Sequence, residues 1–86
     1  MTQEQIGKRL RDIRRLRHVT LVELCDATGW NISLIGGTER GTREMAFHEA
    51  VVYARILCFC LNGFSRTAPD GQWDINACLL VYPPKA

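Results

Sequence analysis

The sequence predicts a mainly α protein: four to five short helices over residues 1–62, a loop over 63–72, and a β-strand extension within 73–86. Three observations lead there. Capping residues stand ahead of apolar positions at helical spacing, two of them with Glu or Gln three residues on. Glycine closes the second and third of these segments. The last stretch alternates apolar and other residues with a period of two.

The first helix opens at Thr2, with Gln5 placed to complete a capping box. Ile6, Leu10 and Ile13 then recur at helical spacing, with Leu16 close by, and His18 and Val19 mark the end. The second opens at Thr20, with Glu23 as its capping partner and Val19 and Leu24 placed for a hydrophobic staple. Leu24, Cys25 and Ala27 offer its inward face, and Gly29 closes it. Asn31 caps the third helix, with Trp30 and Ile35 placed for another staple, and Gly41 ends it. Two helices joined through Gly29-Trp30-Asn31 have the layout of a helix-turn-helix. After a polar loop, Phe47, Ala50, Val51, Ala54 and Leu57 form the stripe of a fourth helix, widened by Tyr53 and Ile56 and fading near Cys58-Phe59-Cys60.

Residues 63–72 read as a loop, with Pro69-Asp70-Gly71 as its turn. Trp73, Ile75, Ala77, Leu79 and Val81 then alternate as one face of a strand that Pro83-Pro84 stops. A lone strand leaves its backbone groups unpaired, so it must pair with residues near 58–61 or with a second copy of itself. Ile75, Ala77, Leu79 and Val81 are therefore the expected dimerisation residues.

At 86 residues the chain has room for one small domain whose core is marginal alone, so a homodimer is expected. A hydrophobic content of 47% with 23% charged residues excludes a disordered chain. The longest apolar runs, Ala50–Ala54 and Ile56–Leu61, are too short to span a bilayer, and Arg55 divides them, so no membrane partner is expected. The N-terminus is polar and then basic, unlike a secretory leader, and implies the cytoplasm. The first 18 residues hold six basic residues (Lys8, Arg9, Arg11, Arg14, Arg15, Arg17) against Glu4 and Asp12, a net +4 in a chain whose total is +2.

Little in the sequence suggests catalysis, and no cofactor or metal is expected. His48-Glu49 lacks the second His of a His-Glu-x-x-His zinc site, and Gly36 to Gly41 has neither Walker nor dinucleotide spacing. Cys25, Cys58, Cys60 and Cys78 include no Cys-x-x-Cys pair and read most simply as small buried apolar groups. Cys58-x-Cys60 is short for a shared metal, and a thiol site there requires Cys78 to fold back beside it.

Residues 5 to about 60 resemble the Cro/C1-type (XRE-like) helix-turn-helix repressors. The resemblance rests on Ile6 to Arg14, Val19 to Leu24, Thr28-Gly29-Trp30, Ile35 and Glu39-Arg40-Gly41. It implies a small sequence-specific, repressor-like transcriptional regulator of double-stranded DNA, with the third helix (about 31–39) in the major groove. It further implies a structural ion pair between Arg14 and Glu39. Base contacts are implied from Asn31, Ile32, Ser33, Leu34, Gly36 and Gly37. Phosphate contacts are implied from Thr20, the backbone amides at Leu21 and Val22, and from Arg40, Thr42 and Arg43. Leu21 stands where the family usually has Gln, and Thr38 where it has an apolar core residue. The exposed face of the third helix holds few of the bidentate donors that discriminate bases. The alternative is a protein-interaction module on the same scaffold, an antirepressor or antitoxin-like partner, for which Ile32 and Leu34 would be the docking patch.

Overall fold

A computed structural model describes residues 1–66 and 71–81 of the chain. Its elements are α1 (Gln3–Leu16), α2 (Leu21–Thr28), α3 (Ile32–Arg40), α4 (Phe47–Leu57), and two short helices, α5 (Leu61–Ser65) and α6 (Ile75–Cys78). Both expected capping boxes are present. The Thr2 hydroxyl accepts from the Gln5 amide and the Thr20 hydroxyl from the Glu23 amide, each at 3.1 Å, and each partner side chain accepts in return from the cap's backbone N–H. These contacts satisfy N–H groups that a helix start otherwise leaves unpaired.

Gly29 has φ +78°, a left-handed conformation that a Cβ would strain, and this reverses the chain between α2 and α3. The Thr28 hydroxyl fastens the turn, donating to the Leu24 carbonyl at 2.8 Å and accepting from the Trp30 N–H at 3.1 Å. Leu10 and Ile13 of α1, Leu24 of α2, Ile35 of α3, Tyr53 and Leu57 of α4, Phe59, Phe64 and Cys78 form the buried core. The Trp30 ring meets Tyr53 edge-on at 5.4 Å. Phe47, expected on the apolar stripe of α4, is 78% exposed. The inward face of that helix keeps the expected Ala50, Tyr53 and Leu57 and adds Glu49.

The C-terminal segment departs from the sequence expectation. No β-strand is present among the described residues, and there are six helices rather than four or five. Asp74 caps a single helical turn by accepting from the Asn76 amide at 3.0 Å, so the Trp73–Val81 alternation is broken. Ile75, Cys78 and Leu79 then follow helical spacing and face the core, while Ala77 and Val81 remain exposed. The expected pairing with residues 58–61 survives only as an isolated antiparallel bridge between Phe59 and Leu79. It is flanked by Cys60 N–H to Cys78 O at 2.8 Å and Leu80 N–H to Cys58 O at 3.0 Å. A dimer face made of Ile75, Ala77, Leu79 and Val81 on one strand therefore does not exist. Residues 63–65, expected in a loop, complete α5, while Pro69, Asp70 and the Pro83-Pro84 stop lie outside the described residues.

Candidate nucleic-acid interface

The candidate surface is the exposed start of α3 together with the first turn of α2 and the loop after α3. Its support begins on α1. Gly7 lies against the end of α3 so closely that a Cβ there would come within 2.3 Å of the Thr38 and Glu39 carbonyl oxygens. Only glycine permits this approach of the two backbones. Beside it, the Arg14 guanidinium grips Glu39 in a two-point contact, Nε to Oε2 at 2.7 Å and Nη2 to Oε1 at 3.0 Å. Arg14 also donates to the Val19 carbonyl at 2.9 Å, so one side chain joins α1, α3 and the approach to α2. With 10% and 7% of the two side chains exposed, this is a largely desolvated, geometrically specific pair.

The basic cluster of α1 is less available than its sequence suggests. Arg9 is buried, donates to the Phe64 carbonyl at 2.7 Å, and lies 5.0 Å above the Trp73 ring. Arg17 donates to the carbonyls of Leu57, Cys58 and Leu80 at 2.9, 2.8 and 2.6 Å, closing the end of α4 and fastening the C-terminal segment. Lys8 pairs with Asp12 on the surface. Three arginines of the cluster thus serve the fold, a use that a run of charges does not announce.

The residues of α3 divide by position. Asn31, Ile32 and Ser33 are exposed at its start, although the Asn31 side-chain oxygen is occupied by the Leu34 amide at 2.8 Å. Leu34 is half-buried and packs against the core. Gly36 and Gly37 are buried. A Cβ on Gly36 would meet the Arg40 guanidinium at 2.9 Å, and one on Gly37 would meet Thr42 and Arg43 at 3.4 Å. The implied base-contact set is therefore open at Asn31, Ile32 and Ser33 and covered at Gly36 and Gly37.

Of the implied phosphate set, Thr20 and Arg40 are exposed, and Leu21 and Val22 supply the first two amides of α2. Such amides lack helical partners and face outward along the helix dipole, an arrangement suited to an anion. Thr42 is committed to the end of α3: its amide and hydroxyl both donate to the Gly37 carbonyl, at 3.0 and 3.2 Å. Arg43 forms a two-point pair with Glu49, Nη1 to Oε1 at 2.9 Å and Nη2 to Oε2 at 2.6 Å, and Nη1 also reaches the Thr38 hydroxyl at 3.2 Å. Glu49 accepts from the Ala46 amide at 2.8 Å as well, so this cluster orders the whole loop from α3 to α4.

The cluster also shapes titration. The Arg43 hydrogen bonds hold the Glu49 carboxyl below its usual range, against the opposing effect of burial. Burial pushes the neighbouring Tyr53 phenol up to about 12, with the Thr38 hydroxyl acting in the other direction. The Tyr53 hydroxyl is buried without a well-aligned hydrogen bond among the described residues. Thr38 thus serves as a hydrogen-bonding post. It donates to the Leu34 carbonyl at 3.0 Å and accepts from Arg43.

Sequence reasoning missed Gly7 as a packing residue and Glu49 as the partner of Arg43. An isolated glycine inside an amphipathic helix was the available signal for the first. The second joins residues across a loop and had no periodic signature.

Among the described residues, no helix is long and apolar enough to cross a membrane, and no three His, Cys, Asp or Glu side chains gather as a metal site. No protein-family model matches the chain, and no curated protein does. A solved structure does match: the restriction-modification controller protein C.AhdI from Aeromonas hydrophila, with a TM-score of 0.62 and 28% sequence identity. The match covers 65% of this chain and 85% of that one. In fold and in sequence, then, this chain is similar to a restriction-modification controller protein.

Proposed function

We propose that the chain is a small DNA-binding regulator of repressor type that places the start of α3 in the major groove of double-stranded DNA. The observation that carries the reading is the division of α3. Its C-terminal half is locked to α1 through Gly7 and Arg14–Glu39, while Asn31, Ile32 and Ser33 stand exposed at its start. Recognition helices present their N-terminal residues to base edges and are held rigidly from behind. The likeness to a restriction-modification controller protein supports a regulatory role.

On this reading Ile32, 52% exposed, packs against thymine methyl groups, and the Ser33 hydroxyl and the Asn31 amide nitrogen supply polar contacts. Phosphates are held by the Leu21 and Val22 amides, Thr20 and Arg40. Arg43 adds positive charge to the loop while remaining paired with Glu49. Two copies bind together, each reading one half-site, as two-fold related helix-turn-helix proteins do. Leu80 and Val81, exposed at the end of the C-terminal segment, contribute apolar surface to the contact between copies.

The test is selection from a random duplex library. The proposal expects one enriched motif with two related half-sites about one helical turn apart, and a changed motif for Ser33→Ala. Recovery of unenriched sequence, or a motif unaffected by changes at Asn31, Ile32 and Ser33, overturns it.

A second reading has one observation in its favour. Val22 and Ile32 are 61% and 52% exposed, and these apolar side chains suit a protein partner as well as a groove. Under that reading the selection yields no motif, and Ile32→Asp abolishes binding to a protein.

A further inference from the structure

The proposed DNA-binding surface makes no use of the cysteines, and three of them gather where the C-terminal segment meets the α4–α5 connection. The bridge between Phe59 and Leu79 sets an antiparallel register in which Cys60 stands directly opposite Cys78 and Cys58 opposite Leu80. The Cys60 N–H donates to the Cys78 carbonyl at 2.8 Å, and the Cys78 thiol reaches the Cys60 carbonyl at 3.5 Å. Directly opposed residues of an antiparallel pair have Cα atoms about 4.5–5.5 Å apart, within the range of about 4.4–6.8 Å that a disulfide spans. Gly63 leaves room for the approach, since a Cβ there would come 2.8 Å from the Cys78 Cα.

We propose that Cys60 and Cys78 are a redox-active thiol pair, oxidised by hydroperoxides to an intramolecular disulfide that pins the C-terminal segment to the α4–α5 connection. The two thiols have different environments and hence different roles. Cys60 lines an open cleft of about 230 Å³ with Asn62, Gly63, Arg66, Asp74 and Ala77, which gives a small oxidant access. Hydrogen bonds from the Gly63 and Asn62 amides, with Arg66 nearby, hold the Cys60 thiol below its usual range. Cys78 is fully buried, and burial pushes its thiol up to about 11. Cys60 is therefore the attacking sulfur, because the thiolate is the reactive form. Cys78 is the resolving one.

The chemistry balances in two steps. The Cys60 thiolate attacks the terminal peroxide oxygen; an S–O bond forms, the O–O bond breaks, and Cys60 sulfenic acid is left with an alkoxide that takes up a proton to become alcohol (water, for hydrogen peroxide). The Cys78 sulfur then gives up its proton and attacks the Cys60 sulfur. An S–S bond forms and hydroxide leaves with that proton as water. Two electrons pass from the thiols to one hydroperoxide.

The test uses the reduced full chain, treated with hydrogen peroxide, denatured, and labelled with N-ethylmaleimide. The expected product takes two labels instead of four, with a Cys60–Cys78 cross-linked peptide after digestion. Cys58→Ser and Cys25→Ser keep the cross-link, whereas Cys60→Ser and Cys78→Ser lose it. Because Cys78 is buried and its variant is prone to misfold, Cys60→Ser at the cleft is the deciding control. Four labels after a peroxide dose that oxidises a free dithiol, a cross-link through Cys58 or Cys25, or an intramolecular disulfide in Cys60→Ser each overturns the proposal.

Discussion

Two arginine–carboxylate pairs hold the helix-turn-helix from behind, and they respond differently to perturbation. Replacing Glu39 with Gln leaves the Arg14 charge largely buried beside a neutral amide. Removing one partner of a buried pair costs about 3–5 kcal/mol, so Glu39→Gln lowers the melting temperature by about 10 °C or more in thermal unfolding, since each kcal/mol shifts a domain of this size by about 4–8 °C. The second pair is exposed on its arginine side, 37% against 5% for Glu49, and its signature is pH dependence. Arg43 lowers the Glu49 pKa below the usual 4.5 in the folded chain. Its contribution is therefore present above the unfolded-state value and is lost as pH falls through the folded one. Urea unfolding at stepped pH shows this as a loss of stability starting near pH 5 and growing toward lower pH, and Glu49→Gln flattens that part of the profile. Neither partner choice followed from charge pattern alone. Arg14–Glu39 came from family resemblance, while Arg43 was expected on phosphate because its loop follows the recognition helix. Glu49, six residues further on, claims it only once the loop has folded.

The helix ends were legible because capping is local. Thr2, Thr20, Asn31, Gly29 and Gly41 act within a few residues of themselves, and the structure shows them in the cap geometries their identities favour. Helix packing was less legible, as three glycines show. Gly7→Ala drives a Cβ into two backbone carbonyls of α3 that cannot swing aside. The expected cost is about 3 kcal/mol, the upper end for overpacking. Gly36→Ala meets only the far end of the Arg40 side chain, which can move. It stabilises α3 by about 0.5–1 kcal/mol, the difference in helix propensity. Parallel denaturation of the two variants, which carry the same substitution on touching helices, measures that contrast. Gly37, at 3.4 Å from Thr42 and Arg43, lies between these cases. The C-terminal segment misled the sequence reading for a related reason. Trp73, Ile75, Ala77, Leu79 and Val81 fit a period of two, yet Ile75, Cys78 and Leu79 equally fit one helical turn. Tertiary contacts, rather than periodicity, decided between them. Trp73 donates to the Gly63 carbonyl at 3.0 Å and stands edge-on to Phe64 at 6.2 Å.

At the scale of the molecule, the same contacts make the C-terminal segment part of the fold. Trp73, Ile75, Cys78 and Leu79 all pack on the core cluster, and Arg9 of α1 and Arg17 at its C-cap reach across to this end of the chain. Deleting residues 73–86 therefore removes several large buried or half-buried side chains, worth about 1.5–3 kcal/mol each when fully buried. Small domains have only about 5–15 kcal/mol in total. Circular dichroism of the truncated chain is expected to show loss of the cooperative thermal transition. A truncated chain that melts as the full one does contradicts this placement. The basic character of the first helix also changes meaning at this scale. Its arginines are largely spent joining α1 to α3, α4 and the C-terminal segment, so the proposed phosphate contacts fall to helix amides and a few exposed cations. The most direct test of DNA binding is fluorescence anisotropy with a duplex from the DNA upstream of the chain's own coding region, across a salt series. Binding through phosphates gives a dissociation constant that rises steeply and log-linearly with salt, the mark of counterion release, and weaker binding by Arg40→Ala at every salt concentration. Undetectable binding at low salt, or an affinity indifferent to salt, contradicts it.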